Sequence, residues 1–258
     1  MPNQPISGND LARFSGPQTF MRLPGADSPE GLDVGVIGIP MDIGTSWRSG
    51  TRMGPKQLRE QSAMIRPYNI QTGAAPFDAL QCADLGDVPI NTFSLSDTIR
   101  IITDAYNAYL MHDFIPVTLG GDHSLTLPVL RAMAAKHGPV ALVHVDAHAD
   151  VNDTMFGERE THGTVFRRAY EERLITPDRV FQIGLRGTGY SADDFSEAAG
   201  WGFNQYLAPD LWHRSLAPLA AEITEKIGDR PCYISYDIDS LDPAYAPGTG
   251  TPEIGGLT

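Results

Sequence analysis

Short apolar runs rich in β-branched residues alternate along this chain with helix-length amphipathic segments, and few folds accept that alternation. The run from Val140 to Val145 is almost wholly apolar, the composition of a strand buried on both faces. Asp33 to Ile39, Phe114 to Leu119, Val180 to Leu185 and Pro231 to Tyr236 read the same way. Between them, Ser96 can cap a helix carrying Ile99, Ile102, Tyr106 and Tyr109 at helical spacing. Leu125 to Lys136, Thr164 to Leu174 and Asp193 to Ala199 supply further helices, and Leu216, Leu219, Ile223 and Ile227 mark another. Strands buried on both faces need helices on both sides, so the pattern predicts one α/β domain around a parallel sheet. Residues 1 to about 30 are rich in Pro, Gly and polar residues, and read as an arm before a domain over 31–258.

Charge narrows the choice of partner. With 19 Lys and Arg against 32 Asp and Glu, the net charge is −13, which repels nucleic acid and anionic membranes. Hydrophobic residues make up 41%, enough for a buried core. Cys82 and Cys232 are too few for a disulfide framework and read as small buried residues of a reducing compartment. No apolar run approaches the length of a membrane span, and the first residues lack the basic-then-apolar pattern of a leader. A cytoplasmic globular protein is therefore expected.

In open parallel sheets, ligands bind beyond the carboxyl ends of the strands. Three strand ends here carry dense polar clusters: Gly120-Gly121-Asp122-His123-Ser124, Asp146-Ala147-His148-Ala149-Asp150 and Ser235-Tyr236-Asp237-Ile238-Asp239. In the second and third, the polar residues recur every second position, so an extended backbone would aim them to one side. His123, Asp146, His148, Asp150, Asp237 and Asp239 then face one crevice. Two imidazoles and four carboxylates exceed the needs of one cation but suit two. Mixed His/Asp ligation permits Mn²⁺, Zn²⁺, Fe²⁺ or Ni²⁺ ahead of Ca²⁺ or Mg²⁺. Two such ions about 3.5–4 Å apart would share a water and lower its pKa, which is hydrolytic machinery. His144 reads as structural, His112, His137 and His213 as solvated, and Asp122 as a helix cap. His162 stands twelve residues after Asp150, where spacing alone is equally compatible with a capping turn. The Gly- and Pro-rich loop from Asp242 to Pro252 follows Asp239 and is expected to wall the site.

Taken together, these three clusters resemble the signatures of the ureohydrolases, the family of arginase and agmatinase. The resemblance runs from about Asp33 to Thr258. It implies a three-layer α/β/α sandwich with a mainly parallel sheet, and a centre of two Mn²⁺ ions per chain that hydrolyses a guanidino group to urea and an amine. It further implies that His123, Asp146, Asp150 and Asp237 hold one ion. Asp146, His148, Asp237 and Asp239 would hold the other, with Asp146 and Asp237 bridging. Asp150 would handle the proton of the attacking water. His162 matches the family's proton-shuttling histidine, and with Asn152 would meet the substrate.

Met21-Arg22-Leu23-Pro24, Met64-Ile65-Arg66-Pro67-Tyr68-Asn69 and Asp150-Val151-Asn152-Asp153 look most like the guanidinobutyrase branch. That implies conversion of 4-guanidinobutanoate to 4-aminobutanoate. Agmatinase, which makes putrescine from agmatine, and guanidinopropionase stay open. Family members carry a further strand, helices and a guanidinium-binding glutamate after Gly-Gly-Leu-Thr. A fragment, or a non-catalytic metal-binding subunit, is therefore a second expectation. A zinc-dependent deacetylase would share one Asp/His/Asp site but leave His123 and Asp239 unexplained. By the same resemblance the chain is expected to be a trimer or hexamer acting on a small guanidino substrate.

Overall fold

The computed structural model describes residues 2–258. The chain divides into two compact units, Met1–Ile43 with Gly50–Asp122, and Gly44–Ser49 with His123–Thr258.

In the first unit, β1 (Val34–Gly38), α1 (Gly54–Ser62), α2 (Pro76–Ala79), β2 (Cys82–Asp87), α3 (Leu95–Tyr109) and β3 (Ile115–Leu119) follow in order. The strands are all parallel, in the order β2-β1-β3. β1 and β3 coincide with the expected runs, trimmed at their ends. β2 escapes sequence reading because its Cys-Ala-Asp-Leu-Gly-Asp is not an apolar run. Its Asp84 is buried by pairing with Arg59 of α1, Nε to Oδ2 2.8 Å and Nη2 to Oδ1 3.0 Å. α1 is equally hard to read, since it buries Pro55, Arg59 and Ser62 rather than an apolar stripe. The cap of α3 is Ser94, not Ser96. The Ser94 hydroxyl accepts from the Asp97 N–H, whereas Ser96 lies inside the first turn. The segment before β1 packs onto this unit. Buried Arg22 donates to the carbonyls of Ile6, Leu11 and Ala12, and Asn3 bonds Gln81 and Cys82.

The second unit contains α4 (Thr126–His137), β4 (Val140–Val145), α5 (Val165–Glu171), β5 (Ile175–Leu185), α6 (Glu197–Gly200), β6 (Asn204–Leu207), α7 (Ala208–Leu211), α8 (Ala217–Ile227) and β7 (Cys232–Tyr236). Its parallel strands run in the order β6-β5-β4-β7. Alternation along β4 sends Val140 and Leu142 to one face, where they pack with Leu127 and Leu130 of α4 and Val165 and Phe166 of α5. Ala141 and Val143 go to the other, against Ile223 and Ile227 of α8. β4 is thus helix-covered on both faces, as its apolar residues require. β5 begins earlier than Val180, because a register shift carries residues 176–179 between two stretches of pairing. The expected helix from Asp193 to Ala199 is broken into a 3-10 turn, Ala192–Phe195, and the short α6. Among the described residues, no helix is long and apolar enough to cross a membrane.

Candidate metal centre

Register places the centre. Val145 at the end of β4 pairs with Tyr236 at the end of β7 and with Ile183 of β5, so β4 and β7 finish at one level while β5 runs on to Leu185. The chain winds outward from β4 through β5 to β6 and then returns to β7 on the other side of β4. The first residues past β4 and β7, Asp146 and Asp237, flank that reversal, where open α/β sheets leave a crevice. Backbone bonds hold them there: Asp146 N–H donates to Ile183 O at 3.0 Å and Asp237 N–H to Val145 O at 2.9 Å. Gly184 lies beside Asp146 with φ +97°, a conformation that glycine adopts without strain.

The ligand candidates are not on extended backbone, contrary to the sequence expectation. β4 ends at Val145 and β7 at Tyr236, and both clusters turn at once. The Asp146 carboxylate accepts the His148 N–H at 2.7 Å, and the Asp237 carboxylate accepts the Asp239 N–H at 2.9 Å, starting a 3-10 turn. Asp150 has φ +52°. Short carboxylate-to-backbone bonds two residues on outcompete strand continuation, as they commonly do for Asp. They aim the side chains together all the same.

His123 Nδ1 lies 2.9 Å from Asp150 Oδ2, 3.2 Å from Asp146 Oδ2 and 3.5 Å from Asp237 Oδ2. That buried nitrogen makes no well-formed hydrogen bond, while Nε2 sits 2.7 Å from the Ser235 hydroxyl. On the other side, His148 Nδ1 lies 3.1 Å from Asp239 Oδ2 and 3.6 Å from Asp146 Oδ1. Potential ligand atoms therefore form two tight groups that share Asp146: His123, His144, Asp146 and Asp150, then Asp146, His148 and Asp239. All six residues expected from the sequence are brought to this place.

Electrostatics fit a cationic occupant. Burial, together with Asp146 and Asp239, pushes the Asp237 carboxyl up to about 8. Burial and Asp146 also raise Asp239. Burial works against ionisation of Asp146, yet His144, His123 and His148 outweigh it and hold that carboxyl well below the usual range. Burial disfavours the charged form of His148, but Asp146 and Asp239 overcome it and lift the imidazole to about 11. Crowded, buried carboxylates facing an unbonded imidazole nitrogen are a poor resting place for protons alone and a good one for divalent cations.

Around this centre, His162 opens a 3-10 turn that leads into α5, with a Thr161–Thr164 capping box. Its Nε2 accepts the Ser46 N–H at 3.2 Å and lies 2.7 Å from the Ser46 hydroxyl. Asn152 is exposed, and its amide donates to the Gly163 carbonyl at 3.1 Å, tethering the His162 turn. In the Gly/Pro-rich loop, Thr251 donates to Asp239 Oδ2 at 3.3 Å, so the loop does touch the ligand set.

Several contributors to the centre are not legible in the sequence. His144 was expected to be merely structural, yet its Nε2 is 2.7 Å from Asp146 Oδ2, because Asp146 turns back toward it beyond the strand end. Buried Arg186 donates to the carbonyls of Gly184, Asp239, Leu241, Glu253 and Ile254. Ser46 carries no local signal, and the place of Ser235 in the third cluster does not reveal its bond to His123, since their partners lie far away in sequence.

Comparison with known proteins adds an independent line. The model of the arginase family matches residues 32–258. The chain is 60% identical over 259 residues to a guanidinobutyrase of Pseudomonas aeruginosa, covering 99% of this chain and 81% of that protein. It is 51% identical over 256 residues to a mitochondrial agmatinase of Gallus gallus, covering 99% and 75%. Among solved structures, proclavaminate amidino hydrolase from Streptomyces clavuligerus superposes with a TM-score of 0.91 at 43% identity, covering 96% of this chain and 82% of that one.

Proposed function

Because the chain belongs to the arginase family of ureohydrolases, we propose that it hydrolyses 4-guanidinobutanoate to 4-aminobutanoate and urea. The family sets the class of reaction: water adds to the guanidino carbon, the bond to the alkyl nitrogen breaks, and urea and a protonated amine leave. The substrate reading is supported by the 60% identity to a guanidinobutyrase, against 51% to an agmatinase.

One observation carries the mechanistic part of this reading. Two groups of ligand atoms share the Asp146 carboxylate, the arrangement that a pair of adjacent cations needs. We assign two Mn²⁺ ions to it. His123, Asp146, Asp150 and Asp237 would hold one, and Asp146, His148, Asp237 and Asp239 the other. When bound, the pair supplies Lewis acidity that makes a water nucleophilic near neutral pH. The protein does the rest. Asp150, beside His123 Nδ1, is positioned to accept a proton from the attacking water. His162 is assigned to deliver a proton to the departing amine nitrogen. Asn152 keeps that turn in place through Gly163. Homo-oligomeric assembly, as a trimer or hexamer in the cytoplasm, accompanies this reading.

The test is urea release by the Mn²⁺-loaded protein on 4-guanidinobutanoate, 3-guanidinopropanoate, agmatine and arginine. A kcat/KM on 4-guanidinobutanoate at least about 10-fold above the others is expected. Preference for agmatine would overturn the substrate. No release from any of the four would favour a non-catalytic metal-binding chain.

A further inference from the structure

We propose that a hydrogen-bond relay, Gln205 to Gln182 to His144, positions Asp146 and excludes His144 from the ligands of the metal centre. The inference rests on the metal-centre reading above and goes beyond it, because proximity alone groups His144 with His123, Asp146 and Asp150 as a fourth candidate ligand.

Direction in the relay follows from groups that have only one role. Gln182 Nε2 lies 2.7 Å from the backbone carbonyl of Ala149, which can only accept, so the nitrogen end of the Gln182 amide is identified. Its oxygen end accepts from Gln205 Nε2 at 2.9 Å, which agrees. The same Gln182 nitrogen lies 3.2 Å from His144 Nδ1. An amide nitrogen donates, so Nδ1 must be the unprotonated ring nitrogen, and the neutral imidazole carries its hydrogen on Nε2. His144 Nε2 then donates to Asp146 Oδ2 across 2.7 Å. Both ring nitrogens are committed, one to an amide and one to a carboxylate, which leaves neither lone pair for a cation.

Surroundings hold this arrangement in place. Gln182 and His144 are both completely buried, so no water competes for the contact between them. The His144 ring packs on Phe166 at a centroid distance of 4.2 Å, which limits rotation of the imidazole. Asp146 is the residue shared by the two ligand groups, so one hydrogen bond on its Oδ2 orients a carboxylate for both. Removing such an outer partner typically weakens metal affinity about 10–100-fold. His144 is a positioning residue in this account.

The first measurement is made on the 258-residue protein, labelled with ¹⁵N-histidine and stripped of divalent ions. Long-range ¹H–¹⁵N correlation, assigned by loss of signal in His144→Gln, is expected to show His144 protonated on Nε2 and bare on Nδ1. Loading with diamagnetic Zn²⁺ should leave that Nε2 proton in place. Protonation on Nδ1, or loss of the Nε2 proton on loading, would overturn the relay. The second measurement is calorimetric titration with Mn²⁺ of folded variants. His144→Gln, whose amide nitrogen can replace Nε2 as donor, should stay within about 3-fold of the wild type, whereas His144→Leu should bind about 10–100-fold more weakly. Equal affinity for all three proteins would overturn the positioning role. A wild-type protein that binds no Mn²⁺ would overturn the metal-centre reading as well, whereas a wrong tautomer would remove the relay alone.

Discussion

Asp146 is where the two ligand groups meet, and its environment explains why a carboxylate so deeply buried stays ionised. His123, His144 and His148 surround it and outweigh the cost of burial. Asp146→Asn keeps the shape but loses the charge shared by both groups. Calorimetry should show Mn²⁺ binding weakened by at least about 10–100-fold, with urea release lost in parallel. An Asn variant with unchanged stoichiometry and affinity would remove Asp146 from the centre. His148 gives a pH dependence whose sign can be worked out. Its folded pKa is raised to about 11, so near neutral pH the imidazole holds a proton that a cation must displace. Mn²⁺ affinity should therefore tighten as pH rises from about 6 to about 9, with net proton release in buffers of different ionisation enthalpy. Affinity that is flat or falls over that range would contradict the assignment of His148 as a ligand. The six ligand candidates were legible because each lies in a run of polar residues directly after an apolar strand. His144, Ser46, Ser235 and Arg186 were not, because what matters about them is a partner across the fold.

At the scale of elements, the first unit depends on a contact that no hydropathy pattern reveals. Arg59 of α1 reaches Asp84 of β2 through two nitrogens, and both side chains are buried. Asp84 also accepts the N–H groups of Phe20 and Gly86, tying the N-terminal segment and the strand end to the same carboxylate. Asp84→Ala would strand a buried guanidinium and two amides. The expected loss is about 3–5 kcal/mol, toward the lower end because Asp87 and the Gly86 carbonyl keep part of Arg59 paired. Urea unfolding would measure it, and a loss below about 1 kcal/mol would show that the pair is not structural. Ser94→Ala tests the corrected cap of α3. About 1 kcal/mol should go with the lost Asp97 bond, while Ser96→Ala should cost less than half of that. Equal effects would restore Ser96 to the role. α3 itself was readable because its core face, Ile99, Ile102 and Tyr106, recurs at helical spacing. Its start was not, because Ser94 and Ser96 are equivalent until one hydroxyl is seen to reach a backbone amide.

At the scale of the whole molecule, each sheet has an outer strand with uncovered apolar side chains. β3 exposes Ile115 and Val117, and β7 exposes Ile234 and Tyr236. Outer strands of that kind pair and stack with other chains unless something blocks them. Sedimentation velocity should detect concentration-dependent self-association. Ile234→Lys should weaken it at least about 10-fold, since burying one Ile side chain is worth about 1.5–3 kcal/mol. A variant that associates as strongly as the wild type would place the contact elsewhere. The α/β architecture was determined by the sequence alone, because an apolar strand such as Val140 to Val145 can satisfy both of its faces only between layers of helix. The chemistry of the centre was equally determined, since His and Asp side chains have few uses when crowded beyond strand ends. Only the tertiary structure decided how they meet. Parallel register brings Val145, Ile183 and Tyr236 to one level, tight turns replace extended backbone, and the Gln182 amide selects which nitrogen of His144 faces Asp146. Each of these depends on distances between residues far apart in the chain, and such distances are created by packing, not by local propensity.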